Sequence, residues 1–218
     1  MLARFFVPAF AAVLLLTMPA AAKEKTKASQ VTCEGVFGPE SSEALVKQTF
    51  GPDNVVTGMV DGPEGMQMLA TTVFPDDPQR TMRFGWWDED ARSGLSYVDL
   101  APSQIAPGGV RIGQTVAEVE ALNGAPFTIG GFWWDYGGYA NIENGNLAHT
   151  DDKTCWVSIR FSPADDYSSD IDATPVSGEV QVPSGEALLE MLDVRVAVVS
   201  VSWPAPEGYG EDHGQPAD

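Results

Sequence analysis

The chain has 218 residues, with 31 Asp and Glu against 12 Lys and Arg, a net charge of −19. That excess of acid excludes nucleic acid as a partner, because a phosphate backbone is held by Lys and Arg, and it works against adsorption to anionic lipid. It favours a cationic partner or serves solubility through self-repulsion, and a hydrophobic content of 44% excludes wholesale disorder.

Residues 1–22 read as an export leader. Arg4 is a short positive n-region, Phe5 to Leu16 is an apolar run, and Ala20-x-Ala22 is a small-residue cleavage site. The apolar run is about half of the ~20 residues that a spanning helix needs, and no other stretch is longer. Cleavage after Ala22 leaves 196 residues, enough for one good core or two small ones sharing an interface. No cysteine follows the cleavage point, so lipid attachment there is not expected. The expected location is periplasmic or secreted. In that oxidising setting the two cysteines, Cys33 and Cys155, read as a disulfide, with two free buried thiols as the alternative.

Residues 23–32 are expected to form a flexible lead. The spacing then predicts a helix from Glu43 to Phe50, broken by Gly51-Pro52-Asp53-Asn54. Strands are predicted over Val55–Val60 and Met66–Phe74, with a turn at Pro75-Asp-Asp-Pro78. From Thr81 to Trp87, Met82, Phe84 and Trp86 alternate with Arg83, the period of a half-buried strand. Leu95–Leu100 is a further strand, and 101–109 a linker.

The segment from Gly113 to Pro126 reads as a capped helix with a forced stop. Thr115 and Glu118 have capping-box spacing, and Val116, Val119 and Leu122 share a face. Gly124 can take the left-handed turn, and Pro126 prevents a restart. Phe127–Asp135 is predicted as a strand, Gly137-Gly138 as a turn and Tyr139–Ile142 as its return. Residues 143–152 read as loop, Thr154–Phe161 as an alternating strand, and 163–175 as acidic turns. A short strand at Glu179–Val182, a short helix at Glu186–Leu192 and a β-branched strand at Val194–Trp203 precede a Pro-, Gly- and acid-rich tail, 204–218.

Ser41 to Pro52 repeats the helix-turn pattern more faintly, and Met82-Arg83-Phe84 aligns with Ile159-Arg160-Phe161. The expected fold is therefore α+β: two similar units, 33–100 and 110–203, each a helix packed on a small antiparallel sheet. The pattern Gly113, Val119, Gly124, Pro126 resembles the helix-turn segment of SmpA/OmlA-type lipoproteins of outer-membrane assembly. It is similar also to the tandem units of β-lactamase inhibitor protein. The resemblance implies a small antiparallel sheet covered by helices and used as a binding surface, not as an enzyme. Those lipoproteins carry a lipidated cysteine directly after cleavage, and this chain does not. No segment here matches the inhibitors' active loops, so the resemblance carries over no functional residue.

Catalytic and metal-site chemistry finds little purchase. His149 with Asp151 and Asp152 is the one tight His/Asp group; a lone His cannot make a structural zinc site, and His213 lies in the tail. Ser41, Ser42 and Ser158 could be set beside His149, but no G-x-S-x-G supports a nucleophile. The carboxylates of 165–172 invite Ca²⁺, yet lack the central Gly and closing Glu of an EF-hand loop; a solvated acidic loop is the plainer reading. The aromatic runs Trp86-Trp87 and Phe132-Trp133-Trp134-Asp135-Tyr136 are more informative. Adjacent strand residues face opposite sides. One Trp of each pair can enter the core while the other meets solvent, the second unit or a partner. Trp133, Trp134 and Tyr136 are the partner-binding candidates. The leading expectation is an exported, non-catalytic protein-binding or envelope-assembly module with no cofactor. A glycan- or cell-wall-binding module using these aromatics is the alternative, and an unrecognised hydrolase around His149 the second.

Overall fold

The computed structural model describes residues 29–62, 65–149 and 154–209. The leader, residues 23–28 of the lead, Asp151, Asp152, His213 and the end of the tail lie outside them. The chain runs β1 (Ser29–Gln30), α1 (Glu43–Phe50), β2 (Val55–Asp61), β3 (Gln67–Val73), β4 (Met82–Asp88), β5 (Ser93–Asp99), β6 (Gln104–Ile105) and α2 (Val116–Asn123). It continues through β7 (Thr128–Gly130), β8 (Ala140–Asn141), β9 (Trp156–Ser162), β10 (Gln181–Pro183), α3 (Ala187–Met191) and β11 (Arg195–Ser202). The fold is α+β.

Strands of the two expected units join in one sheet of order β2-β3-β4-β5-β11-β9, antiparallel throughout. The joint is β5 on β11, where Asp99 faces Ser200 and Val98 faces Val201. A smaller sheet, β10-β7-β8, is linked to it by a bridge from Tyr139 to Arg160 of β9. Both halves of the chain thereby contribute apolar faces to the same sheet. Met82, Phe84 and Trp86 of β4, Val98 of β5, Val199 and Val201 of β11, and Ile159 and Phe161 of β9 enter one core with Val46 of α1 and Val116 and Val119 of α2.

Local chemistry explains both long helices. Ser42 Oγ accepts from the Leu45 amide at 3.3 Å, and Gly51 closes α1 with φ 87°. At α2 the full capping box forms. Glu118 N–H donates to Thr115 Oγ1 at 3.2 Å and Thr115 N–H to Glu118 Oε2 at 2.8 Å. Gly124 ends the helix at φ 74°, ψ 6°, and its amide donates to the Glu120 carbonyl. A Cβ is penalised in that left-handed conformation, so Gly124→Ala is expected to lower stability by about 1 kcal/mol. Chemical denaturation measures this; an unchanged midpoint would mean that the turn is not held as described.

The first aromatic pair divides as strand geometry requires. Trp86 is buried and its indole donates to Thr71 Oγ1 at 3.0 Å. A hydroxyl chain continues through Thr57 to Glu43. Trp87 lies on the other side and packs edge-on against Tyr209, with ring centroids 4.7 Å apart. For Glu43, burial alone would raise the pKa, but hydrogen bonds from Arg92, Lys47 and Thr57 outweigh it and lower the value to about 2. That carboxylate ties α1 to β2 and to the β4–β5 turn.

Three expectations change. In the lead read as flexible over 23–32, Ser29 and Gln30 pair with β6 and Val31 is buried, because its amide bonds to the Ile105 carbonyl and its side chain joins the core. The strand predicted over Phe127–Asp135 is only Thr128–Gly130. Trp133 takes φ 64°, and the Gly137 amide closes a turn on the Trp134 carbonyl at 3.0 Å, so the aromatic run is a loop. Residues 101–109, read as a linker, are packed, with Ala101 and Ala106 buried and β6 paired to β1. Small apolar side chains let a connector serve as core.

Cys33 and Cys155 form a disulfide, with Cα atoms 5.9 Å apart. Such a bridge belongs to an oxidising, non-cytoplasmic compartment. Among the described residues no helix is long and apolar enough to cross a membrane.

Candidate binding cleft on the outer sheet face

Strand alternation puts the core residues on one face and leaves the other to Arg83, Tyr97, Asp99, Arg160, Val198 and Ser200. These six residues lie in a cleft of about 970 Å³ that no residue of the α-helices lines. Register places them in rows. One row crosses the whole sheet as Val56, Thr72, Arg83, Asp99, Ser200 and Ser158. A second runs Gly85, Tyr97, Ser202 and Trp156. Cross-strand neighbours in such rows stand about 5 Å apart and act as pairs.

The rows give the cleft a fixed floor. Tyr97 lies over Gly85 so closely that a Cβ there would come within 2.0 Å of its ring. Asp99 is recessed, and Ser200 Oγ donates to it at 2.5 Å. Burial raises the Asp99 pKa, opposed by the Ser200 hydrogen bond and the charge of Arg83. Burial raises the Tyr97 pKa as well, and the Asp99 charge adds to it. A recessed carboxylate among phenols and two guanidinium groups can accept a donor from a docked partner, while the rings supply apolar area.

One wall is the aromatic loop. Arg160 Nε donates to the Gly137 carbonyl at 2.8 Å and Nη2 to the Asp135 carbonyl at 3.1 Å, and its guanidinium sits 5.2 Å from the Tyr139 ring. Trp134 Nε1 donates to the Gly131 carbonyl at 2.8 Å, and its ring meets Tyr136 edge-on at 5.6 Å. The loop is thus fastened before any partner arrives. Tyr136 is 51% and Tyr139 43% exposed.

The structure brings Trp134 and Tyr136 together in this cleft and separates Trp133 from them. Trp133 is 52% exposed and rests on Tyr167, with centroids 5.9 Å apart, beside residues 169–174. Its exposure follows from the left-handed turn and not from strand alternation. Sequence reasoning missed Tyr97, Asp99, Tyr139 and Arg160. For Tyr97, Asp99 and Arg160 the available signal was an outward position beside buried Val98, Ile159 and Phe161.

The other candidates lie elsewhere. His149 is exposed, and its ring sits 4.1 Å from that of Trp156. Ser158 lines the same hollow, Ser42 caps α1, and Ser41 is wholly buried. In the acidic segment, hydrogen bonding to the Thr174 side chain, and to its amide at 3.0 Å, lowers the Asp172 pKa. Among the described residues no three His, Cys, Asp or Glu side chains converge as a metal site. No family model, curated protein or solved structure matches this chain.

Proposed function

We propose that the chain is an exported, periplasmic or secreted, non-catalytic protein-binding or envelope-assembly module, and that its partner docks on the outer sheet face. One observation carries the reading. The helices cover one face of the six-stranded sheet and leave the other as a fixed cleft in which Tyr97, Trp134, Tyr136 and Tyr139 surround Asp99, Arg83 and Arg160. Aromatic and Arg side chains on a rigid concave surface are the usual anchors of protein recognition.

The tandem-unit reading, and with it the resemblance to SmpA/OmlA-type domains and β-lactamase inhibitor protein, stays part of this proposal. Matched geometry supports it. The helix cap bridges to the first residue of the last strand in each unit, Ser42 to Ser93 and Thr115 to Arg195. The next residue of that strand donates to the residue before the cap, Gly94 to Ser41 at 3.0 Å and Val196 to Gln114 at 2.8 Å. Around β5 and β11, β4 and β9 take corresponding places, and the Tyr139 bridge carries β8 and β7 on in the order of β3 and β2. The insertion of β10 and α3 before β11 distinguishes the second unit.

Capture from envelope extract beside a glycan array tests the function. Tyr136→Ala/Tyr139→Ala is expected to weaken retention of a captured protein by about tenfold or more while leaving thermal stability near wild type, since exposed anchors contribute to binding and not to the core. Trp133→Ala, outside the cleft, serves as the comparison. Loss of binding with Trp133→Ala alone would move the site to the Tyr167 shelf. Glycan binding without protein capture would replace the reading with the carbohydrate one.

A further inference from the structure

Among the described residues, the main sheet ends in a strand with few of the usual protections. At the other end β9 takes the bridge from Tyr139, but among the described residues β2 has a neighbour on one side only. Sheet edges are ordinarily blunted by Lys, Pro, a bulge or a covering element. β2, Val-Val-Thr-Gly-Met-Val-Asp, contains no Lys or Pro, and its seven pairs with β3 run without a register shift. Val56 is 56% and Met59 60% exposed, and Met66, across from Gly62 at the end of the strand, is 58% exposed.

The hydrogen-bond phase of this edge can be read from its ends. Phe74 N–H donates to the Asn54 carbonyl at 2.8 Å, and Gly62 N–H to the Met66 carbonyl at 2.7 Å. In an antiparallel ladder bonded and non-bonded pairs alternate. The even residues Val56, Gly58 and Val60 therefore bond to β3, and the odd residues turn their N–H and C=O outward. The Val55 amide is taken by the Pro52 carbonyl, which leaves Thr57, Met59 and Asp61 to offer a donor and an acceptor each.

This pattern is complementary to itself. A two-fold axis through Gly58 sets Thr57 opposite Met59 of a second copy, and Met59 opposite its Thr57, so outward amides meet outward carbonyls. Val56 then lies beside Val60 of the other copy, and Gly58 sits at the axis, where nothing lies within 4 Å of a Cβ position. Asp61, the only charged residue of the strand, falls opposite Val55 and faces no like charge. An isologous contact of this kind closes on itself and forms a dimer instead of a fibre.

We propose that β2 is an assembly edge on which β2 of a second copy adds antiparallel about Gly58, making one continuous sheet across the pair. The net charge of −19 opposes association. The dimer should accordingly strengthen as added salt screens that repulsion, the opposite of an ion-pair interface.

Sedimentation equilibrium of the purified chain at low and physiological ionic strength tests the proposal. The expected result is a concentration-dependent dimer, tighter at the higher salt, with amide exchange at Thr57 and Met59 slowed as concentration rises. Met59→Pro removes an outward donor without touching the β2–β3 ladder, and Val56→Lys puts on each copy the edge-strand lysine by which sheet edges resist pairing. Each is expected to weaken association by about tenfold or more. If Met59→Pro disturbs folding, Val56→Lys alters only an exposed side chain and carries the test alone. A monomer throughout the micromolar range at both salts would overturn the proposal, and so would a dimer that Val56→Lys leaves intact.

Discussion

Replacing Cys33 and Cys155 together by alanine is expected to lower the unfolding free energy by about 4–5 kcal/mol, the largest effect of any change short of emptying the core. The bridge spans 122 residues of sequence. In the chain-entropy account a loop of that length confers nearly the maximum that one cross-link can give, because the unfolded chain loses so many conformations. The native contacts it accompanies are modest. Ser29 donates to the Ser103 carbonyl at 3.0 Å, Val31 to the Ile105 carbonyl at 2.8 Å, and Gln30 Nε2 to the Ala106 carbonyl at 3.1 Å. Few hydrogen bonds outside the disulfide thus hold the N-terminal segment to residues 103–106. For a chain of this size the loss corresponds to a fall of roughly 10–20 °C in Tm. Calorimetry of the double variant, or of wild type under reductant, measures it. A fall of only a degree or two would mean that the cross-link constrains little and that the β1–β6 pairing holds the segment by itself.

Much of the scaffold was legible because its signals are local. The α2 capping box needs only Thr115, Glu118 and Gly124 in order, and α1 runs from Glu43 to Phe50 as its spacing predicts. The strands of the first half declare themselves by alternation, as Met82, Phe84 and Trp86 against Arg83 show. The aromatic loop was not legible in the same way. A run of Phe and Trp has high strand propensity, but the bend at Trp133 is imposed by distant groups: the Phe132 amide on the Val176 carbonyl at 2.8 Å and the Arg160 guanidinium on the carbonyls of Gly137 and Asp135. Tertiary contacts overrode propensity there. The cleft was hidden for a related reason. Its row Arg83, Asp99, Ser200 draws on strands far apart in sequence, and which strands lie side by side is fixed by the β5–β11 joint. Alternation tells which side a residue faces, but not its neighbour across the sheet.

The second large effect is expected at the fastening of that loop. Gly138 has φ 82°, its amide donates to the Gly130 carbonyl at 2.8 Å, and its carbonyl accepts from Phe161 N–H at 2.7 Å. One residue thereby joins β7 to β9, and its neighbour Tyr139 begins the wall of the cleft. A Cβ at this position would stand 2.1 Å from the Phe161 carbonyl oxygen. Backbone cannot rotate aside as a side chain would, so Gly138→Ala must either break the bond to Phe161 or push β9 away from the loop. Left-handed strain contributes about 1 kcal/mol and the steric conflict about 2 kcal/mol more, for a loss of about 3 kcal/mol. Gly178→Ala separates the two contributions. Its φ is 73°, yet nothing lies within 4 Å of the added Cβ, so strain alone should cost about 1 kcal/mol. Denaturant titration of both variants gives the comparison. Gly138→Ala should also shift the Trp fluorescence, because Trp134 is held to the same loop through the Gly131 carbonyl, and it should weaken partner capture along with Tyr136→Ala/Tyr139→Ala. Equal losses for Gly138→Ala and Gly178→Ala would show that the approach to Phe161 is relaxed at no expense. The loop would then be a movable flap and not the fixed wall on which a preformed cleft depends.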